Sequence, residues 1–186
     1  MKRRSVLASI GVCMALSVSC AFAADKAKDQ AEVRKATTSA LDKFYKAQPS
    51  LKTEVEKAPG YAVFTTYGLS FLVGGAGGSG LAHDNKANKD TYMNMAQASA
   101  GVQAGIQESE LLIVFKNQKA MEDFVNKGWE FGAGGAVGAG AAGKTVGGGG
   151  GEQFVNDALF YSYTKKGIEA GVGFAGTKFW KSKELN

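Results

Sequence analysis

One stretch of the sequence has the residue types and spacing of a nucleotide-binding loop. Gly138 to Thr145 fits the pattern G-x-x-x-x-G-K-T letter for letter. In a true phosphate-binding loop the backbone amides cradle phosphates and a helix begins at the lysine. Here Thr145 is followed by Val146 and five glycines, and each glycine costs about 0.8–1 kcal/mol relative to alanine inside a helix. No later apolar strand ends in an aspartate that could hold magnesium, so we predict that no nucleotide binds.

The other candidates for catalysis or metal binding are isolated. The pattern G-x-G-x-x-G occurs at Gly75 to Gly80 and again at Gly138 to Gly143, but neither is expected to open a helix. His83 is the only histidine, and a place in a loop or at a strand end suits it better than a metal site. The acidic residues Glu108, Glu110, Glu122 and Asp123 are interpreted as solvated faces of a strand start and a helix. The sequence therefore predicts no enzyme activity, no metal and no cofactor.

Two basic segments could act at an interface. Lys165 and Lys166 lie on a predicted tight turn, and aromatic and basic residues alternate near the C-terminus at Lys178, Phe179, Trp180, Lys181 and Lys183. Lysines attract anionic head groups, and tryptophan favours the boundary between water and lipid. The alternative is a solvated turn and an ordinary terminal strand whose aromatic side chains pack inward. The candidate lipid-binding residues are Lys165, Lys166, Lys178, Trp180, Lys181 and Lys183.

The first 23 residues are predicted to be a secretory signal peptide. Lys2, Arg3 and Arg4 precede an uncharged apolar run of about 15 residues, and Ala21-Phe22-Ala23 then offers a cleavage site before Ala24. The run is shorter than the ~20 residues that span hydrocarbon, which disfavours a membrane anchor. A lipoprotein anchored through Cys20 is the alternative, although serine stands three residues before that cysteine. The expected location is the periplasm or the exterior.

Cleavage before Ala24 would leave one domain, residues 24–186. It removes three basic residues, so the formal net charge falls from +5 to +2, which gives no argument for nucleic acid binding. It also removes Cys13 and Cys20, so the domain must be stable without a disulfide. Glycine is unusual, with 26 residues, about twice the ordinary share of roughly 7%.

Hydrophobic spacing predicts three helices. Lys26 to Gln48 places apolar residues on one face until Pro49 ends the helix. Leu51 to Lys57 is a short second helix, and Gln118 to Asn126 is a third.

Most of the remaining chain is predicted to form strands. Tyr92 to Ile106 alternates with period 2, which is typical of a long half-buried strand that is bent or broken near Gly101. Further strands are predicted at Tyr61–Thr66, at Leu111–Phe115 and at Ala158–Tyr163, with a hairpin turn at Thr164–Gly167. Glycines permit the bends that sheet closure needs, and runs such as Gly147–Gly151 are expected to form flexible loops. The predicted fold is α+β: a small antiparallel β-barrel with about three helices on its surface.

Several segments in this order resemble the SYLF domain, a lipid-binding domain of bacterial secreted and eukaryotic proteins. The main ones are Ala58–Phe64, the glycine-rich Val73–Leu81, Ala98–Gly105, Glu110–Asn117 and Phe160–Ser162. The resemblance covers roughly Val33 to Thr177. It implies binding of anionic lipids, phosphoinositides among them in eukaryotic members, without catalysis and with a barrel-like core.

The leading prediction is therefore a non-enzymatic module that binds anionic lipids or a membrane surface. The alternative is a structural or protein-interaction domain of the bacterial envelope. Replacing the lysines of the basic turn by glutamine discriminates these two functions. Loss of charge should weaken lipid binding but need not affect a protein contact.

Overall fold

The computed structural model describes residues 10–70, 73–100, 105–131, 154–155, 157–164, 167–170 and 176–186. The three helices are α1 (Ile10–Ala47), α2 (Ser50–Lys57) and α3 (Gln118–Lys127). The strands are β1 (Gly60–Ser70), β2 (Val73–Asp84), β3 (Lys89–Ala100), β4 (Gly105–Phe115), β5 (Trp129–Glu130), β6 (Phe154–Val155), β7 (Ala158–Thr164), β8 (Gly167–Ala170) and β9 (Thr177–Lys181).

The described strands form one antiparallel sheet in the order β5-β9-β3-β2-β1-β4-β7-β6, and β8 pairs with β7. The sheet curls into a half-barrel, so the predicted α+β class is confirmed. Long meandering strands form its centre, since β1 pairs with β2 and β4 over ten residues each. Strand β9 is the last in the sequence and pairs with β3. The C-terminal segment therefore lies beside a strand from the first half of the chain.

The sheet buries side chains on both faces, because the side chains of a strand alternate between them. On one face, called here the α3 face, Phe64, Ile113 and Phe160 pack with Phe124 of α3. The other, called the α1 face, carries Val63, Leu112 and Leu159 against residues of α1 and α2 such as Phe44 and Leu51. The predicted strand Tyr92–Ile106 is divided between β3, which ends at Ala100, and β4, which begins at Gly105, with β2 and β1 between them in the sheet. The prediction that it is half-buried is wrong for its first part. In β3 both Tyr92 and the adjacent Met93 are buried, since helices cover both faces.

The glycine-rich stretch Gly74–Gly80 is part of a strand. It lies within β2, which pairs along its length with β1 and β3. Gly80 is buried, and a Cβ atom at this position would collide with the carbonyl oxygen of Val63 and the ring of Phe64. Glycine is therefore used here to let a strand approach an aromatic core closely. The run Gly147–Gly151 lies outside the described residues.

Helix α1 confirms the helix predicted at Lys26–Gln48 and also extends back to Ile10, into the predicted signal peptide. Among the described residues, no helix combines the length and the apolar character that crossing a bilayer requires. The predicted second and third helices are confirmed as α2 and α3, and the Asn117 side chain caps α3 by accepting the Ala120 N–H at 2.8 Å.

Candidate functional site

Strand β9 presents one face to the core and one to solvent. Thr177 and Phe179 are buried, while Lys178 and Trp180 between and after them are exposed. Phe179 lies 5.0 Å from Phe64 and 5.5 Å from Phe124 between ring centroids. Trp180 is 38% exposed, and it is the one large hydrophobic side chain in the described part of the chain with more than a third of its surface in water. Strand alternation is thus the local reason that an indole reaches the surface beside lysines.

Four of the six predicted site residues lie in one segment, with Lys178 and Trp180 on one face of β9 and Lys181 on the other. Lys178, Trp180 and Lys181 belong to β9, and exposed Lys183 follows immediately. The Lys178 ammonium lies 2.9 Å from the Glu130 carboxylate on β5, so its charge is partly compensated. We call Lys178, Trp180, Lys181 and Lys183 the β9 patch.

The other two predicted residues, Lys165 and Lys166, lie outside the described residues. The strands on either side of them do pair, with Thr164 opposite Gly167, which confirms the predicted hairpin. Those strands, β7 and β8, lie toward the opposite end of the sheet order from β9. The six residues therefore come from two places in the sheet rather than from one segment.

Hydrogen bonds to β3 and α1 hold the segment that follows β9 in place. The Ser182 N–H donates to the Tyr92 carbonyl at 2.9 Å, and the Asn186 side chain accepts the Tyr92 N–H at 3.0 Å. Helix α1 holds the same segment, because Lys26 Nζ donates to the Asn186 O at 2.7 Å and Gln30 Nε2 donates to the Leu185 carbonyl at 2.7 Å. Lys183 is thus carried on an anchored turn between β3 and α1.

His83 is at the end of β2, as the sequence predicts. Its Nδ1 lies 2.7 Å from an Asp90 oxygen, and the Arg34 guanidinium lies 3.0 Å from the other oxygen of the same carboxylate. Arg34 also lies over the Tyr92 ring at 5.6 Å. Within the described ranges, no three His, Cys, Asp or Glu side chains converge as a metal site would require. These contacts instead tie α1 to the β2–β3 hairpin.

The prediction that Glu110 lies on a solvated face is wrong. It is only 5% exposed and lies in the middle of β4. Its Oε1 lies 2.5 Å from Lys43 Nζ of α1, so a contact across 67 positions of sequence accounts for its burial. Local periodicity holds no signal for such a partner. Glu122 and Asp123 do lie on α3, where Asp123 pairs with Lys119 and Lys127 one turn away on either side.

Of the two glycine-rich motifs that resemble nucleotide-binding loops, only the first lies in the described part of the chain. Gly75 to Gly80 lies within β2 and opens no helix, as predicted. Gly138 to Thr145 lies outside the described residues, so the prediction that it binds no nucleotide stays a prediction.

Comparison with known proteins identifies the class. The model of the Ysc84 family, described as "Las17-binding protein actin regulator", matches residues 96–186. The chain is 32% identical over 147 residues to beta cell expansion factor A of Aeromonas veronii, covering 79% of this chain and 55% of that protein. It is 30% identical over 139 residues to the SH3 domain-containing YSC84-like protein 1 of Homo sapiens, covering 71% of this chain and 40% of that protein.

The chain therefore carries a Ysc84 (SYLF) domain, and the resemblance predicted from the sequence is confirmed. It spans about half the length, or less, of the curated relatives it matches. A further relative, LAS seventeen-binding protein 3 of Saccharomyces cerevisiae (strain YJM789), is 28% identical over 138 residues. The family, the Aeromonas relative and the yeast relative are named for binding, regulation or expansion rather than for a chemical reaction, and the family is one of binding and adaptor domains.

Proposed function

We propose that this domain binds anionic lipid surfaces, phosphoinositide-type head groups among them, and catalyses no reaction. The observation that carries the proposal is the exposure of Trp180 on a strand flanked by lysines. An indole at the surface gains free energy at the water–lipid boundary, and the ammonium groups of the same patch attract anionic head groups.

The expected affinity is low and depends on salt. A basic residue near an anionic surface contributes about 1 kcal/mol, and the effect falls off within a Debye length of roughly 8 Å at physiological ionic strength. Lys178 contributes less than this because it already pairs with Glu130. Lys181 and Lys183 are exposed as well and are proposed to supply most of the remaining attraction, with Lys181 on the strand face opposite Trp180. Lys165 and Lys166 are proposed to add to it.

We also propose export to the periplasm or beyond, with cleavage before Ala24 and with lipidation of Cys20 as the alternative. The side chains that tie α1 to the rest of the protein include Lys26, Gln30 and Arg34. All three follow the cleavage site, so removing residues 1–23 keeps these contacts. The actin-regulating role in the family's name is not carried over, because an exported chain meets no actin in its compartment.

Vesicle flotation tests the lipid proposal. Phosphatidylcholine vesicles with 0, 10, 20 and 40% anionic lipid should recover increasing amounts of protein, and 0.5 M NaCl should release it. Lys181→Gln with Lys183→Gln should reduce the recovered fraction several-fold, and Lys165→Gln with Lys166→Gln should also reduce it. The matched control is Lys52→Gln with Lys57→Gln, which removes the same charge from exposed positions of α2. The proposal would be contradicted if the recovered fraction did not depend on anionic lipid content and salt. It would also be contradicted if the control variant lost as much recovery as the lysine variants.

The alternative is a structural or protein-interaction domain of the envelope. The names of the family and of the yeast relative, which describe binding to a protein, favour it. A pull-down with the same variants separates the two functions. Loss of lysine charge is expected to reduce vesicle recovery several-fold, whereas a protein contact made elsewhere would persist unchanged.

A further inference from the structure

A row of polar residues crosses the α1 face of the sheet. Glu110 of β4 pairs with Thr65 of β1, Thr65 pairs with Ser79 of β2, and Ser79 pairs with Asn94 of β3. The next row toward the buried end of the same face is apolar and fully covered: Leu112, Val63, Leu81 and Tyr92. A helix on a sheet ordinarily buries apolar side chains, so the polar row needs a separate explanation.

The polar row forms the floor of a groove beneath α1. Two adjoining cavities of about 510 and 300 Å³ lie there, and both are lined by Glu32, Ala36 and Thr65. The larger reaches Asn94 and the C-terminal turn, while the smaller ends at Lys43 and Glu110. Three strand spacings separate Glu110 from Asn94, so the floor is about 14 Å long. The volumes fall in the range of small-molecule sites.

The groove is lined by more negative than positive groups. Its carboxylates are Asp29, Glu32, Glu184 and Glu110, and its lysines are Lys35 and Lys43. Lys43 already pairs with Glu110 Oε1. The carboxylates are spread along the groove, and no three of the described His, Cys, Asp or Glu side chains converge on one point. This arrangement suits a cation with separated charges better than a metal ion.

Glu110 supplies an independent indication of a ligand. Its side chain is only 6% exposed and lines the inner end of the groove. Its Oε2 atom is buried and has no hydrogen-bond partner among the described residues. A buried carboxylate oxygen without a donor costs free energy comparable to a lost charge-assisted hydrogen bond. A ligand N–H at this position would remove that cost.

We propose that this groove binds a linear aliphatic polyamine. One terminal ammonium donates to Glu110 Oε2, and the chain runs over Thr65, Ser79 and Asn94, whose side-chain oxygens accept from inner amines. The far ammonium lies near the carboxylates of Glu32 and Glu184. A tetraamine of roughly the length of the groove fits best, because it places charge at both ends. The outer end of the groove adjoins the β9 patch, because Asn94 pairs with Trp180, but the proposed ligand needs no lipid.

Isothermal titration calorimetry with spermine in low-salt buffer and no lipid tests the proposal. Spermine is expected to bind with one-to-one stoichiometry and more tightly than the shorter diamine putrescine. Sorbitol, a neutral polyol, and Mg²⁺ should show no comparable binding. Glu110→Gln should weaken spermine at least tenfold, while Glu122→Gln, exposed on α3 across the sheet, should leave it unchanged.

A second variant protects the test against misfolding. Glu32→Gln with Glu184→Gln changes only exposed carboxylates at the mouth and should weaken spermine at least threefold. Absence of spermine binding, an equal loss in Glu122→Gln, or equal binding of Mg²⁺ or sorbitol would overturn the proposal. Lys181→Gln with Lys183→Gln should not weaken spermine, so this result and the result on lipid binding are read separately.

Discussion

Phe179 and Trp180 are adjacent in β9 and point to opposite faces of the sheet. Phe179 is 1% exposed and contacts the rings of Phe64 and Phe124, whereas Trp180 is 38% exposed. The strand thus anchors the core with one aromatic residue and presents the next to solvent. A surface site built in this way is held rigidly, because the β9 backbone pairs with both β3 and β5.

The two residues should differ sharply in their effect on stability. Phe179→Ala removes a buried ring and is expected to lower the free energy of unfolding by about 3–5 kcal/mol. Trp180→Ala should lower it by clearly less, because more than a third of this side chain is already in water. Urea unfolding followed by circular dichroism measures both. Equal losses would show that Trp180 belongs to the core rather than to a surface site.

Two glycines of β2 offer a matched pair. Gly80→Ala should destabilise the protein by about 1–3 kcal/mol, because its Cβ would collide with Val63 and Phe64. Gly77→Ala should be neutral or slightly stabilising, since no atom lies within 4 Å of its added Cβ. Thermal unfolding of the two variants gives the comparison. A Gly80→Ala variant as stable as the native chain would contradict the close packing of β1 and β2.

Asp84 gives stability a dependence on acid pH. Its Oδ1 accepts the N–H groups of Ala87 and Lys86 at 2.9 Å each, and Gln118 Nε2 donates to its Oδ2. The hydrogen bond from Ala87 is the largest cause that lowers the pKa of Asp84, with further contributions from Gln118 and Lys86. A lowered pKa in the folded state means that this stabilisation is complete above the ordinary pKa of about 3.9 and is lost as pH falls through the folded value.

Asp84→Asn should therefore lower the free energy of unfolding by about 1 kcal/mol at pH 7. The difference from the native chain should shrink below about pH 4, where the unfolded carboxyl is already protonated. Urea titrations at pH 7, 5, 4 and 3 measure the trend, with the exposed Asp25→Asn as control. A difference that stays constant down to pH 3 would show that the charge of Asp84 does not matter.

The mature chain should begin at Ala24. Intact mass spectrometry of protein exported from a bacterial host measures its first residue directly. A start at Cys20 carrying a diacylglyceryl group would contradict this cleavage site and would place the protein on a membrane through its own lipid. Export of the uncleaved chain would also contradict it.

Local patterns were enough to predict the helices and most strands. Pro49 ends α1 near the expected position, and the turn between β7 and β8 follows from the residues at 164–167. The exposure of Trp180 beside buried Phe179 also follows from simple alternation along β9. These features depend on residues close together in the sequence, which is why periodicity detects them.

Features that depend on distant partners could not be predicted in this way. Gly80 lies in a strand because its lack of a side chain makes room for Phe64. The low β-propensity of glycine gives no sign of this contact. Glu110 is buried because Lys43 reaches it from α1, 67 positions away. The polar row from Glu110 to Asn94 exists only once the register of four strands is set.

The most direct test of the lipid proposal is the fluorescence of Trp180 on vesicles. Trp129 is buried, so Trp129→Phe leaves Trp180 as the only tryptophan with a conservative change in the core. Vesicles with 40% anionic lipid should shift the Trp180 emission to shorter wavelength, brominated acyl chains should quench it, and 0.5 M NaCl should reverse both effects. An unshifted and unquenched Trp180 under conditions where flotation recovers the protein would contradict the role of the β9 patch.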